Sequence, residues 1–135
     1  MAPFDPSRQR ILVVDDEEST RLLLARMMSS ELGADVRLAG TCEQARRLAE
    51  QSRYDVILLD LLMPGVGGLA ILKEVRAGST NAATPVVVVS VVSDPQTIRE
   101  CLAAGANAYH VKPVRRAELV EQVKRQLARS PVEAR

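Results

Sequence analysis

The sequence predicts an α/β fold in which five parallel strands alternate with five helices. Short runs of β-branched and aliphatic residues recur along the chain, and each precedes a segment whose apolar residues repeat at helical spacing. The predicted strands are Ile11–Val14, Val36–Ala39, Val56–Leu59, Val86–Val89 and Ala108–Val111. Three of these runs are continuously apolar, which is typical of central strands covered on both faces. Right-handed crossovers would then give a doubly wound parallel sheet with helices on both faces.

The helical segments are defined by their apolar stripes. The first stripe contains leucines and methionines four residues apart: Leu23, Leu24, Met27 and Met28. We expect this helix to be capped by Ser19 or Thr20 and to stop at Gly33. The other stripes are Cys42, Ala45, Leu48 and Ala49; Leu69, Leu72 and Val75; Ile98, Cys101 and Leu102; and Val120, Val123 and Leu127. The third and fourth helices should end near Gly78 and Gly105.

Composition narrows the function classes. The chain has 135 residues, 47% apolar and 26% charged, as expected for one globular domain. A net charge of +1 gives no reason to expect a nucleic acid or a membrane surface as the main partner. No signal-peptide core is present, and the longest apolar runs are too short to cross a bilayer. We therefore expect a cytoplasmic protein: a domain at 10–129 between flexible tails at 1–9 and 130–135.

Two cysteines and one histidine were considered as possible sites. Cys42 and Cys101 fall on apolar helical stripes, so we expect small buried thiols, with a disulfide or a metal site as the alternative. His110 lies in a predicted strand and is interpreted as structural or surface-exposed. The basic residues of the last helix alternate with Glu118 and Glu121, which favours a solvated face over contact with an acidic partner.

Polar side chains collect where the predicted strands end. Strand 1 runs into Asp15 and Asp16, strand 3 into Asp60, strand 4 into Ser90 and strand 5 into Lys112. The carboxyl ends of parallel strands meet at one edge, where open α/β sheets bind ligands. Three carboxylates cannot all ionise there unaided, and a divalent cation with oxygen ligands, such as Mg²⁺, would resolve the repulsion. Asp15 and Asp16 alone could instead serve as partners of a helix dipole.

The motifs "VVDDEE", "LLDLLMPGVGG", "VVVVS" and "GANAYHVKP" strongly resemble the receiver domain of bacterial two-component response regulators, over about Arg10 to Arg129. The chain is similar to a single receiver of the chemotaxis-regulator type, so we expect the flavodoxin-like three-layer fold with the strand order 2-1-3-4-5. The resemblance implies that Asp60 is the phosphoacceptor. It also implies Mg²⁺ ligation by Asp16, Asp60 and the Leu62 backbone carbonyl, with Asp15 acting through water; Mn²⁺ could substitute.

The same resemblance assigns the remaining roles. Lys112 would pair with the phosphoryl oxygens, the Ser90 hydroxyl would bond one of them, and Tyr109 would be an aromatic rotamer switch. The Lys112–Pro113 bond is a candidate for the cis form.

The implied phosphodonor is a sensor histidine kinase or a histidine phosphotransfer protein. A downstream target would read helix 4, strand 5 and helix 5. A phosphorylation-dependent homodimer is a further option, without direct nucleic-acid or membrane binding.

Three positions depart from the usual family pattern. Val91 replaces the common alanine after the switch hydroxyl and could hinder small phosphodonors. Leu62 and Val92 are apolar where polar residues in the family can orient the hydrolytic water. We therefore predict a long-lived phosphorylated state.

Other interpretations fit the residues less well. A phosphatase of the haloacid dehalogenase kind needs a second aspartate where this chain has Leu62. A degenerate receiver that only mediates binding would usually lack an acidic residue or the lysine, and none is missing. The glycines after Pro64 do not match the G-x-G-x-x-G fingerprint of dinucleotide sites and are expected to shape a tight loop. Few residues follow helix 5, so we expect a stand-alone regulator or a receiver excised from a longer protein.

Overall fold

The computed structural model of the chain describes residues 3–129. Its sheet has five parallel strands in the order β2-β1-β3-β4-β5, which confirms the predicted topology. The strands are β1 (Arg10–Val14), β2 (Asp35–Ala39), β3 (Val56–Leu59), β4 (Val86–Ser90) and β5 (Ala108–Val111). Because successive strand residues point to opposite faces, each central strand contributes to two separate cores.

The helices cover both faces of the sheet. They are α1 (Glu18–Leu32), α2 (Cys42–Gln51), α3 (Gly67–Ala77), α4 (Pro95–Ala103) and α5 (Arg116–Ala128). Buried residues of α1 and α5 pack against Ile11 and Val13 of β1. Buried residues of α2, α3 and α4 form a second core that includes Leu12 and Val14 of the same strand. The result is a three-layer sandwich.

The start of α1 differs from the prediction. Its N-cap is Glu17, whose side chain makes no capping bond, so the assignment of Ser19 or Thr20 was wrong. The Thr20 hydroxyl instead bonds the Glu17 carboxylate. The Glu17 N–H donates to the Asp15 carboxylate at 2.9 Å, so the residue after β1 restrains the backbone that leads into α1. The predicted stop at Gly33 is confirmed by its left-handed φ of 62°.

Two leucines assigned to buried stripes are exposed instead. Leu23 is 46% exposed on α1 and Leu102 is 46% exposed on α4. Both stripes are narrower than predicted, because neighbouring residues at the same spacing (Leu24 and Cys101) carry the contact with the sheet. Cys42 and Cys101 are buried and free, as expected. Within the described part of the chain, every helix is too short or too polar to cross a membrane.

The N-terminal residues contact the amino-terminal edge of the sheet. The Phe4 ring lies against the guanidinium groups of Arg10 and Arg37, at 4.6 and 4.1 Å from its centroid. It meets Tyr54 edge-on at 5.7 Å. The flexibility predicted for residues 3–9 stays a prediction, because one static structure does not measure motion. The tail predictions for 1–2 and 130–135 lie outside the described residues.

The loop between β3 and α3 is unusually tight. A Cβ atom at Gly68 would lie 2.1 Å from the Asp60 carbonyl oxygen and 2.6 Å from the Leu61 Cα. The Gly68 N–H donates to the Leu61 carbonyl at 3.0 Å, so α3 starts directly against the end of β3. Gly65 and Gly67 have φ angles of 92° and 80°, which favour glycine. The glycines therefore shape the turn, as expected.

Replacing Gly68 with alanine should disturb the Asp60 backbone directly. We expect Gly68→Ala to lower the free energy of unfolding by about 3 kcal/mol, because the new methyl group has no space. Gly67→Ala is the matched control. Its Cβ would meet nothing closer than 3.7 Å, so it should cost only the positive-φ strain of about 1–2 kcal/mol. Urea denaturation measures both values, and equal costs would contradict the proposed clash.

Candidate functional site

Asp60 is a buried carboxylate with a full set of partners. It follows β3 and is only 5% exposed. Its N–H donates to the Val14 carbonyl at 2.9 Å, which extends the pairing of β3 with β1 by one residue. Its side chain accepts hydrogen bonds from the Leu62 N–H at 3.1 Å and from the Lys112 ammonium at 3.2 Å. The charge among hydrophobic residues is therefore compensated.

Asp15 is held at each of its polar atoms. Its N–H donates to the Ala39 carbonyl at 3.1 Å. Its two carboxylate oxygens accept from the Glu17 N–H and the Lys112 ammonium, both at 2.9 Å. Its carbonyl oxygen accepts from the Arg21 guanidinium at 2.8 Å. Because Asp15 is fully buried, this network fixes the end of β1 in one conformation.

Asp16 completes a cluster of three carboxylates. Unlike Asp15 and Asp60, its residue is exposed to solvent. One oxygen from each of the three lies within 4.8 Å of the others. An all-oxygen set with an exposed side fits a hard cation such as Mg²⁺, which keeps several water ligands. The donor chemistry therefore suits the metal that the strand ends predicted.

Lys112 lies between two of these carboxylates. Its side chain is 13% exposed and forms ion pairs with Asp15 and Asp60. Burial disfavours the charged lysine, but the two carboxylates outweigh burial and raise the pKa of Lys112 above its ordinary value. Burial raises the pKa of Asp15, and its hydrogen bonds from Glu17 and Lys112 only partly oppose this. The next peptide bond, Lys112–Pro113, is cis.

Ser90 and Tyr109 both contact the loop that follows β4. Ser90 is fully buried, and its hydroxyl accepts from the Val92 N–H at 3.3 Å. The Tyr109 hydroxyl donates to the Val92 carbonyl at 2.6 Å. Burial raises the pKa of Tyr109. The two side chains assigned as switch residues thus hold the same peptide segment from its two sides.

The three positions that depart from the family pattern, Leu62, Val91 and Val92, are called the apolar rim of the site. Leu62 is 54% exposed and Val91 is 58% exposed, while Val92 is half-buried. Leu62 follows β3 and Val91 follows β4, and these strands are neighbours in the sheet. The rim is therefore aliphatic at the three positions that depart from the family pattern.

Arg21 and Gly68 were missed as site residues by the sequence analysis. Arg21 is six residues after Asp15 on the first turns of α1, and its side chain returns to the Asp15 carbonyl. Gly68 is the second residue of α3, and the sequence assigned a role to it only together with Gly65 and Gly67. No sequence signal identified the contact of Arg21, because it depends on the space that Gly40 leaves beside the guanidinium.

His110 is structural, as interpreted from the sequence. It is 1% exposed, and its ring joins β5 to α5. The Arg115 N–H donates to Nε2 at 3.1 Å, so Nδ1 carries the proton and donates to Gln122 at 2.8 Å. The basic residues of α5 form exposed ion pairs: Arg115 with Glu118, Arg116 with Glu31 and Arg125 with Glu121. These pairs agree with a solvated face.

Known proteins are similar to this chain in sequence. The family model for the response regulator receiver domain matches residues 11–124. The chain is 39% identical over 114 residues to the sensory/regulatory protein RpfC of Xanthomonas campestris, covering 83% of this chain and 16% of that protein. It is 36% identical over 127 residues to the DNA-binding response regulator MtrA of Mycobacterium tuberculosis, covering 94% of this chain and 54% of that protein. The chain thus spans about half or less of these relatives.

A solved structure has the same fold as this chain. The receiver domain of the sensor histidine kinase PA1611 from Pseudomonas aeruginosa has a TM-score of 0.81 and 34% sequence identity, covering 90% of this chain and 98% of that one. That structure has a magnesium ion coordinated in its active-site cleft. The strand order of the sheet and the family-model match over residues 11–124 both agree with a receiver domain. The chain belongs to the family of response regulator receiver domains.

Proposed function

We propose that this receiver domain accepts a phosphoryl group from a phosphohistidine onto Asp60 in a Mg²⁺-dependent reaction. The donor is a sensor histidine kinase or a histidine phosphotransfer protein. The proposal depends above all on one observation: the buried Asp60 carboxylate lies 3.2 Å from the Lys112 ammonium, within a cluster of three carboxylates. A strand-end nucleophile beside a fixed cation suits transfer of an anionic group.

The residues that would hold Mg²⁺, or Mn²⁺ in its place, are Asp15, Asp16, Asp60 and the Leu62 backbone carbonyl. When bound, the ion neutralises phosphoryl charge and orients the transferred group. The three carboxylates contribute −3, and the ion with Lys112 returns +3. The occupied pocket is therefore close to neutral and can admit an anion that the carboxylates alone would repel.

The protein's own side chains need only position the reacting groups and neutralise the phosphoryl charge. An Asp60 carboxylate oxygen attacks phosphorus in line, the new O–P bond forms, and the P–N bond to the donor histidine breaks. The product is an aspartyl phosphate, which water later hydrolyses. Lys112 exchanges its bond with the Asp60 carboxylate for one with a phosphoryl oxygen. A loose phosphoryl transition state needs little covalent assistance. The protein is thus a signalling switch that assists its own phosphorylation and dephosphorylation.

The switch would begin at Ser90. Its hydroxyl accepts from the Val92 N–H in this structure, and it would turn to donate to the phosphoryl group. Val92 also holds the Tyr109 hydroxyl through its carbonyl, so movement of this loop changes the environment of Tyr109. The phosphoryl group would then bias an equilibrium between two arrangements.

The expected output surface is α4, β5 and α5, which the Val92 loop and Tyr109 adjoin. We propose that a protein target or an output domain reads this surface in the cytoplasm. A phosphorylation-dependent homodimer belongs to the same proposal, without direct membrane or nucleic-acid contact by this domain. A degenerate receiver is not favoured, because the three carboxylates and Lys112 lie close together and Ser90 is also present.

Phosphotransfer profiling against a panel of histidine kinases tests the phosphoacceptor. We expect labelling of the wild type with Mg²⁺ and its loss in Asp60→Asn, because the amide is not a nucleophile for phosphorus. Asp35→Asn, at the opposite edge of the sheet, is the matched control and should be labelled normally. Wild-type labelling of Asp60→Asn would show that the site is assigned to the wrong residue.

The apolar rim should prolong the phosphorylated state. Without a polar side chain at Leu62 or Val92, the attacking water has no added partner to orient it. Leu62→Asn should shorten the lifetime of the aspartyl phosphate by about tenfold, and Leu62→Met should leave it unchanged. The decay of radiolabelled protein at neutral pH with Mg²⁺ measures this. Loss of the wild-type label within seconds would contradict the prediction.

The buried Asp15 carboxylate should cost stability when no metal is bound. Burial raises the pKa of Asp15 in the folded protein above its value in the unfolded chain. The loss of folding stability is therefore complete above the folded pKa, and it disappears as the pH falls toward the pKa of the unfolded chain. In EDTA at neutral pH, Asp15→Asn should raise the midpoint of thermal unfolding by about 3 °C. Mg²⁺ should raise the wild-type midpoint more than that of the variant. A lower midpoint for the variant in EDTA would refute this.

A further inference from the structure

The Arg21 side chain lies behind the loop that carries the carboxylates. It projects from the first turns of α1, is half-buried, and donates from a terminal guanidinium nitrogen to the Asp15 carbonyl at 2.8 Å. The same group lies against Gly40, where a Cβ atom would be only 2.8 Å from that nitrogen and 3.1 Å from the guanidinium carbon. The absence of a side chain at Gly40 therefore leaves room for the contact.

This hydrogen bond restrains a particular peptide plane. The Asp15 carbonyl and the Asp16 nitrogen belong to one planar peptide group. The N–H and both carboxylate oxygens of Asp15 are already bound to other groups. Asp16 is exposed, so the direction of its carboxylate depends on the backbone that carries it. Holding the preceding carbonyl oxygen thus limits where Asp16 can place its oxygen atoms.

We propose that Arg21 is a positioning residue for the metal site, acting through the Asp15 carbonyl on Asp16, and that Gly40 provides the space it needs. This inference rests on the proposed function. It goes beyond that function because Arg21 is not one of the proposed metal ligands or phosphoryl-binding groups. Its positive charge opposes its positioning effect, since a nearby cation repels Mg²⁺. The two effects must therefore be separated by experiment.

Three variants separate contact from charge. Arg21→Met removes both, Gly40→Ala keeps the charge but displaces the guanidinium, and Arg21→Lys keeps the charge with one donor group. Arg47→Met, an exposed arginine of α2, is the matched control. Calorimetric titration with MgCl₂ should show about tenfold weaker binding for Arg21→Met and about threefold or more for Gly40→Ala. Arg21→Lys should recover part of the affinity, and the control should match the wild type.

A kinetic measurement excludes a merely structural role. With the histidine kinase that labels the wild type fastest, the Mg²⁺ concentration at half-maximal phosphotransfer should rise about tenfold in Arg21→Met. The maximal rate at saturating Mg²⁺ should stay within about twofold of the wild type, because Asp60 and Lys112 are unchanged. A damaged fold would lower the maximal rate as well, and the thermal unfolding midpoint in EDTA checks the fold independently.

Several results would overturn the inference. Unchanged or tighter Mg²⁺ binding in Arg21→Met would show that positioning is absent or weaker than charge repulsion. Unchanged binding in Gly40→Ala would show that displacing the guanidinium has no effect on the site. If both variants match a wild type that binds Mg²⁺ and accepts phosphate, this inference alone fails. A wild type that does neither would refute the proposed function itself.

Discussion

The ion pairs of Lys112 with Asp15 and Asp60 are the interaction on which the site depends. Without this ammonium group, two buried carboxylates from neighbouring strands would face each other with no positive charge between them. The pairs also connect the end of β5 with the ends of β1 and β3, across four of the five strands. Any group that draws Lys112 away therefore changes the charge balance of both strands at once. A phosphoryl group on Asp60 would do so.

The two edges of the sheet are built differently. At the amino edge, Asn81 uses both ends of its amide, donating to Ala49 and Ser52 and accepting from the Tyr54 N–H. Such neutral, satisfied networks stabilise a fold. The carboxyl edge instead concentrates like charges, with an Asp15 carboxyl group whose pKa burial raises. The Asn81 network thus stabilises the amino edge, while the carboxyl edge keeps the unfavourable charges that the proposed metal and phosphoryl binding would require.

Periodicity predicted the order of the elements, and the family resemblance added the strand order. The strand-end residues predicted the location of the carboxylate cluster, because parallel strands bring their carboxyl ends to one edge. The N-cap of α1 was predicted wrongly. The helix begins after Glu17, whose N–H donates to the Asp15 carboxylate, and the serine and threonine that follow give no sign of that bond. Leu23 and Leu102 were placed inside because spacing alone does not give the width of a buried stripe. The contact of Arg21 with the Asp15 carbonyl could not be predicted. It depends on the space left by Gly40, which lies in the loop between β2 and α2.

The most direct test of the switch uses beryllofluoride, a phosphoryl mimic, with Mg²⁺ and ¹⁵N-labelled protein. Two-dimensional NMR should show amide shifts around Asp60, Ser90 and Tyr109, extending into α4 and β5. In the proposed switch the Ser90 hydroxyl would release the Val92 N–H to bond the mimic. Asp60→Asn should show no such shifts. An unchanged wild-type spectrum at saturating beryllofluoride and Mg²⁺ would contradict the account and indicate a receiver that works only as an interaction module.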